Sequence, residues 1–190
     1  MPVAGSGPVP VFRHLGDEVL VEGWRISFVR ASFTTPDGEH FTRDVVRHPG
    51  AVAVVPLTAH DTVLLVRQYR GPVDRFVLEI PAGTRDVEGE DPAVTARREL
   101  EEEVGVRAGS VRRLASVLNS PGFCDEETVV YLARDLVPVA TDRHGPEERF
   151  IDVVELSWAE VDAKLASGEI VDAQTVIGLL LARPLVGGDA

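Results

Sequence analysis

Three glutamates, Glu99, Glu102 and Glu103, constrain this chain more than any other feature. They fall at i, i+3 and i+4 in a segment with both helix ends written into it. Asp91 is a good N-cap, Pro92 suits the first helical position, and Gly105 can take the positive φ of a C′ residue. The spacing predicts a helix over 92–104 with all three carboxylates on one face. Like charges so placed repel and weaken a helix, and a cation relieves that cost. Carboxylate oxygens without a neighbouring His or Cys favour magnesium, manganese or calcium over zinc. Magnesium commonly bridges protein carboxylates to substrate phosphates, so the pattern points to phosphate chemistry. A solvated acidic helix face is the plain alternative. It does not require the preceding glycine loop, the Arg98-Glu99 pair and the closing glycine together.

Bulk properties set the frame around this segment. The chain has 190 residues, enough for one domain with a sizeable core. A formal net charge of -12 argues against broad nucleic-acid binding, which relies on basic surface. A small anionic substrate stays compatible, because a bound metal and a few arginines reverse the sign locally. The single cysteine, Cys124, rules out an intramolecular disulfide and suits a reducing cytoplasm. It has no cationic helix end beside it to make it a nucleophile. No secretory signal and no apolar run of membrane-spanning length is expected. His48 and His60 lack the spacing of metal ligands.

Along the chain, residues 1–16 read as a flexible, Pro/Gly-containing N-terminus and 17–48 as a small antiparallel sheet. Strands are expected at 18–22, 24–29 and 41–47, with a turn at Pro36-Asp37-Gly38. Residues 49–190 read as the main domain. Apolar runs at 51–57, 62–66, 76–80, 111–118, 128–133 and 152–156 predict strands. Ser157-Trp158-Ala159-Glu160 is a capping-box sequence, and Asp172 can cap a last helix running to about Arg183. Strands interleaved with three helices fit an α/β sandwich.

Glu90, Arg98, Glu99, Leu100, Glu102, Glu103, Gly105 and Val106 resemble the tail of the Nudix box, Gly-x5-Glu-x7-Arg-Glu-U-x-Glu-Glu-x-Gly-U, with U a bulky aliphatic residue. The head departs from it. Gly83 lies one position too far from Glu90, and Thr84 stands where the pattern has glycine. A one-residue insertion in a surface loop is tolerable. Leu78–Gly83, Arg67-Gln68-Tyr69-Arg70, Ser120–Glu126 (with Cys124 in place of serine) and Gly168–Ala173 look like further motifs of the ADP-ribose pyrophosphatase branch.

The resemblance implies a Nudix α/β/α sandwich with mixed sheets, preceded by the small antiparallel sheet. It implies Mg2+ or Mn2+, more than one ion per site, held by Glu99, Glu102, Glu103 and the Ala82 carbonyl. Glu102 is a third ligand or a base. Arg98 orients the box carboxylates, Glu90 partners an arginine or the loop, and Glu101 points away. The branch takes its base from a late loop, which here holds Glu147 and Glu148, Glu147 being preferred; both are otherwise solvated loop acids.

Candidate substrate contacts follow. Arg70 and Arg43 can grip a phosphate or ribose, or form surface salt bridges. Trp24 can stack on adenine or fill the core of the small sheet. Phe123 packs near the site or closes the core, and Glu79 bonds a ribose or supports the box. The expected reaction is metal-dependent hydrolysis of ADP-ribose to AMP and ribose 5-phosphate by a cytoplasmic homodimer whose N-terminal sheets exchange, with neither nucleic acid nor membrane as partner. Another nucleoside diphosphate sugar such as GDP-mannose is the alternative substrate. A non-catalytic ADP-ribose sensor is disfavoured, because such proteins often lose box carboxylates.

Overall fold

The computed structural model describes residues 9–143 and 145–187. The leading segment 1–8, expected to be flexible, lies outside the described residues. The chain divides into two compact units, Met1–Pro49 with Ser120–Glu126, and Gly50–Asn119 with Glu127–Ala190.

The first unit is a three-stranded antiparallel sheet of β1 (Arg13–Glu22), β2 (Ser27–Thr34) and β3 (His40–Arg47), in that order. β1 begins at Arg13, four residues ahead of the expected strand region. Residues 24–26 belong to a turn, not to the second strand, because Gly23 N–H donates to Ile26 O at 2.9 Å and the hairpin closes around them. Phe33 and Phe41 stack across the sheet at 5.3 Å. The loop Ser120–Glu126 joins this unit through the β3 end: Val46 N–H donates to Phe123 O at 2.8 Å, and His48 N–H to Asp125 Oδ1 at 2.9 Å. Arg47 then ties Asp125 and Asp17 together, and its hydrogen bonds hold the Asp17 carboxyl down at about 2.

The second unit holds two sheets. One orders β10 (Asp152–Leu156), β5 (Val63–Arg70) and β6 (Arg75–Glu79), all antiparallel. The other orders β7 (Ala82–Thr84), β4 (Ala51–Pro56), β9 (Glu127–Pro138) and β8 (Val106–Leu118). β4 runs parallel to β9 while its other neighbour is antiparallel, so the sheet is mixed. Every residue of β4 is buried, and its side chains alternate between two cores. Ala53 and Val55 pack with Leu65, Ile80, Val161 and Leu179. Val52 and Val54 pack with Val66, Ala96, Leu100, Val104 and Tyr131. Helix α1 (Pro92–Glu99) thus lies on one face, and α2 (Trp158–Ser167) and α3 (Ala173–Ala182) on the other. That is the α/β/α layering that the resemblance implied, with one sheet mixed and the other antiparallel.

Capping follows the sequence. Ser157 and Glu160 form a complete capping box on α2, and Gly168 closes it in the left-handed conformation. Asp172 accepts from Thr175 N–H at the start of α3. Gly178 lets α3 approach the sheet, since a Cβ there would stand 2.8 Å from Ile80 Cδ1. β8 starts at Val106 and β9 continues to Pro138, well beyond the expected 111–118 and 128–133. The added length is mostly exposed, so it carries little apolar periodicity, and cross-strand pairing from Val106↔Pro138 onward sustains it instead. Among the described residues, no helix is long and apolar enough to cross a membrane.

Candidate active site

The box is built from α1, the turn that continues it, and β7. Asp91 caps α1, its side chain accepting from Ala93 N–H at 2.9 Å, with Pro92 next. The helix does not run on as regular α structure. Leu100–Val104 form a π turn that ends at Gly105, whose φ is 74° and whose N–H donates to Leu100 O. Such wide turns recur at functional sites. Widening brings i and i+4 closer to register and swings i+3 away from them. The three carboxylates therefore do not share one face equally. Glu99 and Glu103 are buried, at 8% and 5% exposure, whereas Glu102 is only half-buried and turns to Arg98.

Arg98 organises the acidic side. Its Nη1 lies 3.1 Å from Glu99 Oε1 and 3.2 Å from Glu102 Oε2, and its Nη2 reaches Asp86 at 3.3 Å and Glu90 at 3.9 Å. Glu90 also accepts from Thr95 Oγ1 at 2.7 Å, which ties the loop to α1. Glu101 faces out and pairs with Arg107 at 2.8 Å.

Glu103 accepts from Ala82 N–H at 3.2 Å, so β7 and the helix meet at the carboxylate. Gly83 completes that junction. A Cβ at this position would overlap the Glu99 carboxyl, so only glycine leaves room for the acid. The extra loop residue is absorbed without loss of this contact: Ala82–Thr84 pair with Ala51–Ala53, and Arg85 N–H donates to Gly50 O at 3.0 Å.

Two buried like charges make this site electrostatically expensive. Burial, with repulsion from Glu102, Asp86 and Glu148, outweighs Arg98 and pushes the Glu99 carboxyl up to about 7. Burial and then Glu99 itself push Glu103 up to about 8, against the help of Ala82 N–H and Arg70. Among the described residues no three His, Cys, Asp or Glu side chains stand together as a finished cage. The donors are hard oxygens whose charge is under-compensated, and that chemistry fits magnesium or manganese.

Glu79 and Arg70 flank the box and bind each other. Arg70 donates from Nη2 to Glu79 Oε2 at 2.6 Å and from Nε at 2.9 Å. Burial raises the Glu79 carboxyl, and Arg70 offsets part of the rise. Asp172, which sequence reading treated only as a helix cap, is close enough for its charge to act on both. It accepts from Thr175 Oγ1 at 2.7 Å, and Thr175 Oγ1 accepts from Ile80 N–H at 2.9 Å. A cap that also steadies the strand before the box has no separate signature in the sequence. Gln68 is buried near the end of β5. Its Oε1 is buried and has no hydrogen-bond partner among the described residues.

The late loop distinguishes its two acids. Glu148 starts a 3-10 turn, Glu148–Phe150, and its charge acts on both Glu99 and Glu103. The charge of Glu147 acts on the Tyr69 hydroxyl, which is raised first by its 2.6 Å bond to Asp74 and then by burial. Glu148 Oε2 also accepts from Gly145 N–H at 3.0 Å, within the loop itself.

The remaining candidates lie in the first unit. Trp24 is 91% exposed at the β1–β2 turn with the Arg25 guanidinium 4.5 Å over its ring, so it is not a core tryptophan. Arg43 is exposed on β3, 4.9 Å over Phe41, and donates to Thr42 O at 2.7 Å. Phe123 is exposed, its backbone carbonyl held by Val46.

A model of the NUDIX domain matches residues 47–176. The chain is 41% identical to a methanol dehydrogenase activator of Bacillus methanolicus, over 76% of this chain and 77% of the relative. It is 35% identical to an ADP-ribose pyrophosphatase of Bacillus subtilis, over 88% and 90% respectively. It is 36% identical to an ADP-ribose pyrophosphatase of Mycobacterium tuberculosis, over 94% and 86%. A crystal structure of an ADP compounds hydrolase superposes with a TM-score of 0.78 over 96% of each chain at 23% identity, a likeness of fold.

Proposed function

The chain belongs to the Nudix family of hydrolases, and from that premise we propose that it hydrolyses the pyrophosphate bond of ADP-ribose to AMP and ribose 5-phosphate with the help of divalent metal. One observation carries the reading. Glu99 and Glu103 are buried side by side with raised carboxyls, at a junction that Gly83 and Ala82 keep open for them. Maintaining that repulsion is costly, and a bound cation explains it. Names of relatives over nearly the whole chain support the substrate.

Glu99, Glu103, Glu102 and the Ala82 carbonyl would hold Mg2+ or Mn2+, more than one ion per site. When bound, the metal neutralises the diphosphate and eases deprotonation of the attacking water. The chain's own groups do the rest. Arg98 keeps Glu99 and Glu102 in place. Glu148 takes the proton of the water attacking phosphorus, and Glu147 is the lesser candidate. Arg70, held in its fork by Glu79, presents its remaining N–H groups to a phosphate or ribose oxygen. Trp24, Arg43 and Phe123 supply the base-side contacts, Trp24 by stacking on adenine.

The working unit is a homodimer in the cytoplasm, assembled through the N-terminal sheet. In support, every residue of β1 is exposed, including Leu15, Val19, Leu20 and Val21, and an apolar edge of this kind seeks a partner.

The direct test offers the purified protein ADP-ribose, GDP-mannose, NADH and diadenosine polyphosphates with magnesium or manganese, and follows phosphatase-coupled release. ADP-ribose is expected to have the highest kcat/KM. A preference for GDP-mannose overturns the substrate, and tight ADP-ribose binding without turnover overturns the enzyme.

A further inference from the structure

One side chain that the sequence reading passed over holds the C-terminal end of the box helix. Arg143 donates from Nε at 3.2 Å and from Nη2 at 2.7 Å to the carbonyl oxygen of Glu103. Its Nη1 donates to the carbonyl of Ile151 at 2.8 Å. Carbonyls in the last turn of a helix lack partners within it, and Arg143 satisfies one of them. Ile151 is buried in the core that contains Leu100 and Val104, immediately before β10. Glu147 and Glu148 lie between Arg143 and Ile151 in the chain. One guanidinium therefore closes the neck of the acidic loop and fastens it to the backbone of a box glutamate. The segment before it is seated too. Val139 N–H donates to Gly105 O at 2.8 Å, and a Cβ on Gly105 would stand 2.9 Å from Thr141 Cγ2.

We infer that Arg143 is a positioning residue for the hydrolysis, a clamp that fixes Glu148 opposite Glu99 and Glu103 by locking both ends of its loop to the box helix. The inference rests on the proposed role of Glu148. A helix cap alone needs only the bonds to Glu103; the bond to Ile151 serves the loop. Lysine distinguishes the two roles. It supplies a positive charge and a donor at a helix end, but it is a single point of charge and not a rigid planar fork. It keeps the cap and loses the clamp.

The full chain is tested as Arg143→Lys and Arg143→Met. Both are expected to lose kcat by about 10²-fold, the scale of a 1 Å misplacement of a reacting group. KM and Mn2+ affinity (electron paramagnetic titration of metal-stripped protein) stay within about twofold, since ground-state binding is untouched. Amide hydrogen exchange across 145–151 rises by at least about tenfold in both variants, while amides of α1 are unchanged. Parental kcat and parental loop exchange in Arg143→Lys overturn the clamp and leave a helix cap. Should Arg143→Met fail to fold, Arg143→Lys decides alone. Should the parent not cleave ADP-ribose, the proposed function fails, and loop exchange still judges the clamp: raised exchange supports it and unchanged exchange overturns it.

Discussion

The box and the acidic loop present glutamates to the same chemistry by opposite means. Glu99 and Glu103 sit on a capped helix, buried against β7, with neighbours on every side. Glu147 and Glu148 ride a loop that carries one 3-10 turn, and Arg143 supplies its tether to the box helix. The box stores electrostatic cost in a rigid frame, which suits groups that must await an ion in fixed geometry. The loop is held at its neck by Arg143, which suits a group that must be placed and not ligated. Mutations in the first region should therefore act through charge and ligation, and mutations in the second through placement.

The sharpest break is Glu103→Gln. It removes one buried charge and keeps the shape, so metal-dependent kcat should fall by about 10³-fold or more while circular dichroism stays unchanged. Retained turnover would remove Glu103 from the ligand set. The loop comes next. Glu148→Gln should cost about 10²-fold in kcat, whereas Glu147→Gln should stay within about threefold. The reverse order would restore Glu147 as base. Gly83→Ala is the subtler probe. The added methyl displaces the Glu99 carboxyl, the free end of a flexible side chain, and leaves the backbone alone. Turnover should drop by about tenfold with a change in Tm of only about 2 °C. A collapse in Tm without a specific loss of metal affinity would make Gly83 a packing residue only.

These positions also show what the sequence made legible. The helix ends, the capping box of α2 and the alternating burial of β4 were all readable, because caps and apolar periodicity act over a few residues. So was the set of box acids. The π turn was not, since propensities do not separate it from an α turn, and it changes what Glu102 meets. Trp24 misled one alternative because tryptophans are usually well covered, yet this one sits on a hairpin tip. Arg143 was invisible for a different reason. Its partners are carbonyls of residues 40 and 8 positions away, and carbonyls have no residue identity to read.

The smallest expected effect tests the electrostatic side of the comparison most directly. Glu99 and Glu103 are raised from an ordinary 4.5 to about 7 and about 8, so the folded chain holds their protons more tightly than the unfolded chain does. Below pH 4.5 both states are protonated and this contribution is fully present. As pH climbs toward 8 the unfolded chain has already ionised, the folded chain must ionise a buried pair, and stability falls through that window. Asp17, lowered to about 2, acts with the opposite sign and only in stronger acid. Metal-stripped protein should therefore melt several degrees lower at pH 8 than at pH 5.5, a shift of about 2–4 °C for each kcal/mol in a chain of this size. Manganese should recover more of that loss at pH 8 than at pH 5.5, since ligation requires the ionised carboxyls. Glu103→Gln, with one like charge gone, should show a shallower fall than the parent in the absence of metal. Equal melting profiles for the two proteins would mean that the pair is not where the pH dependence resides, and the contrast between a charged frame and a placed loop would lose its physical basis.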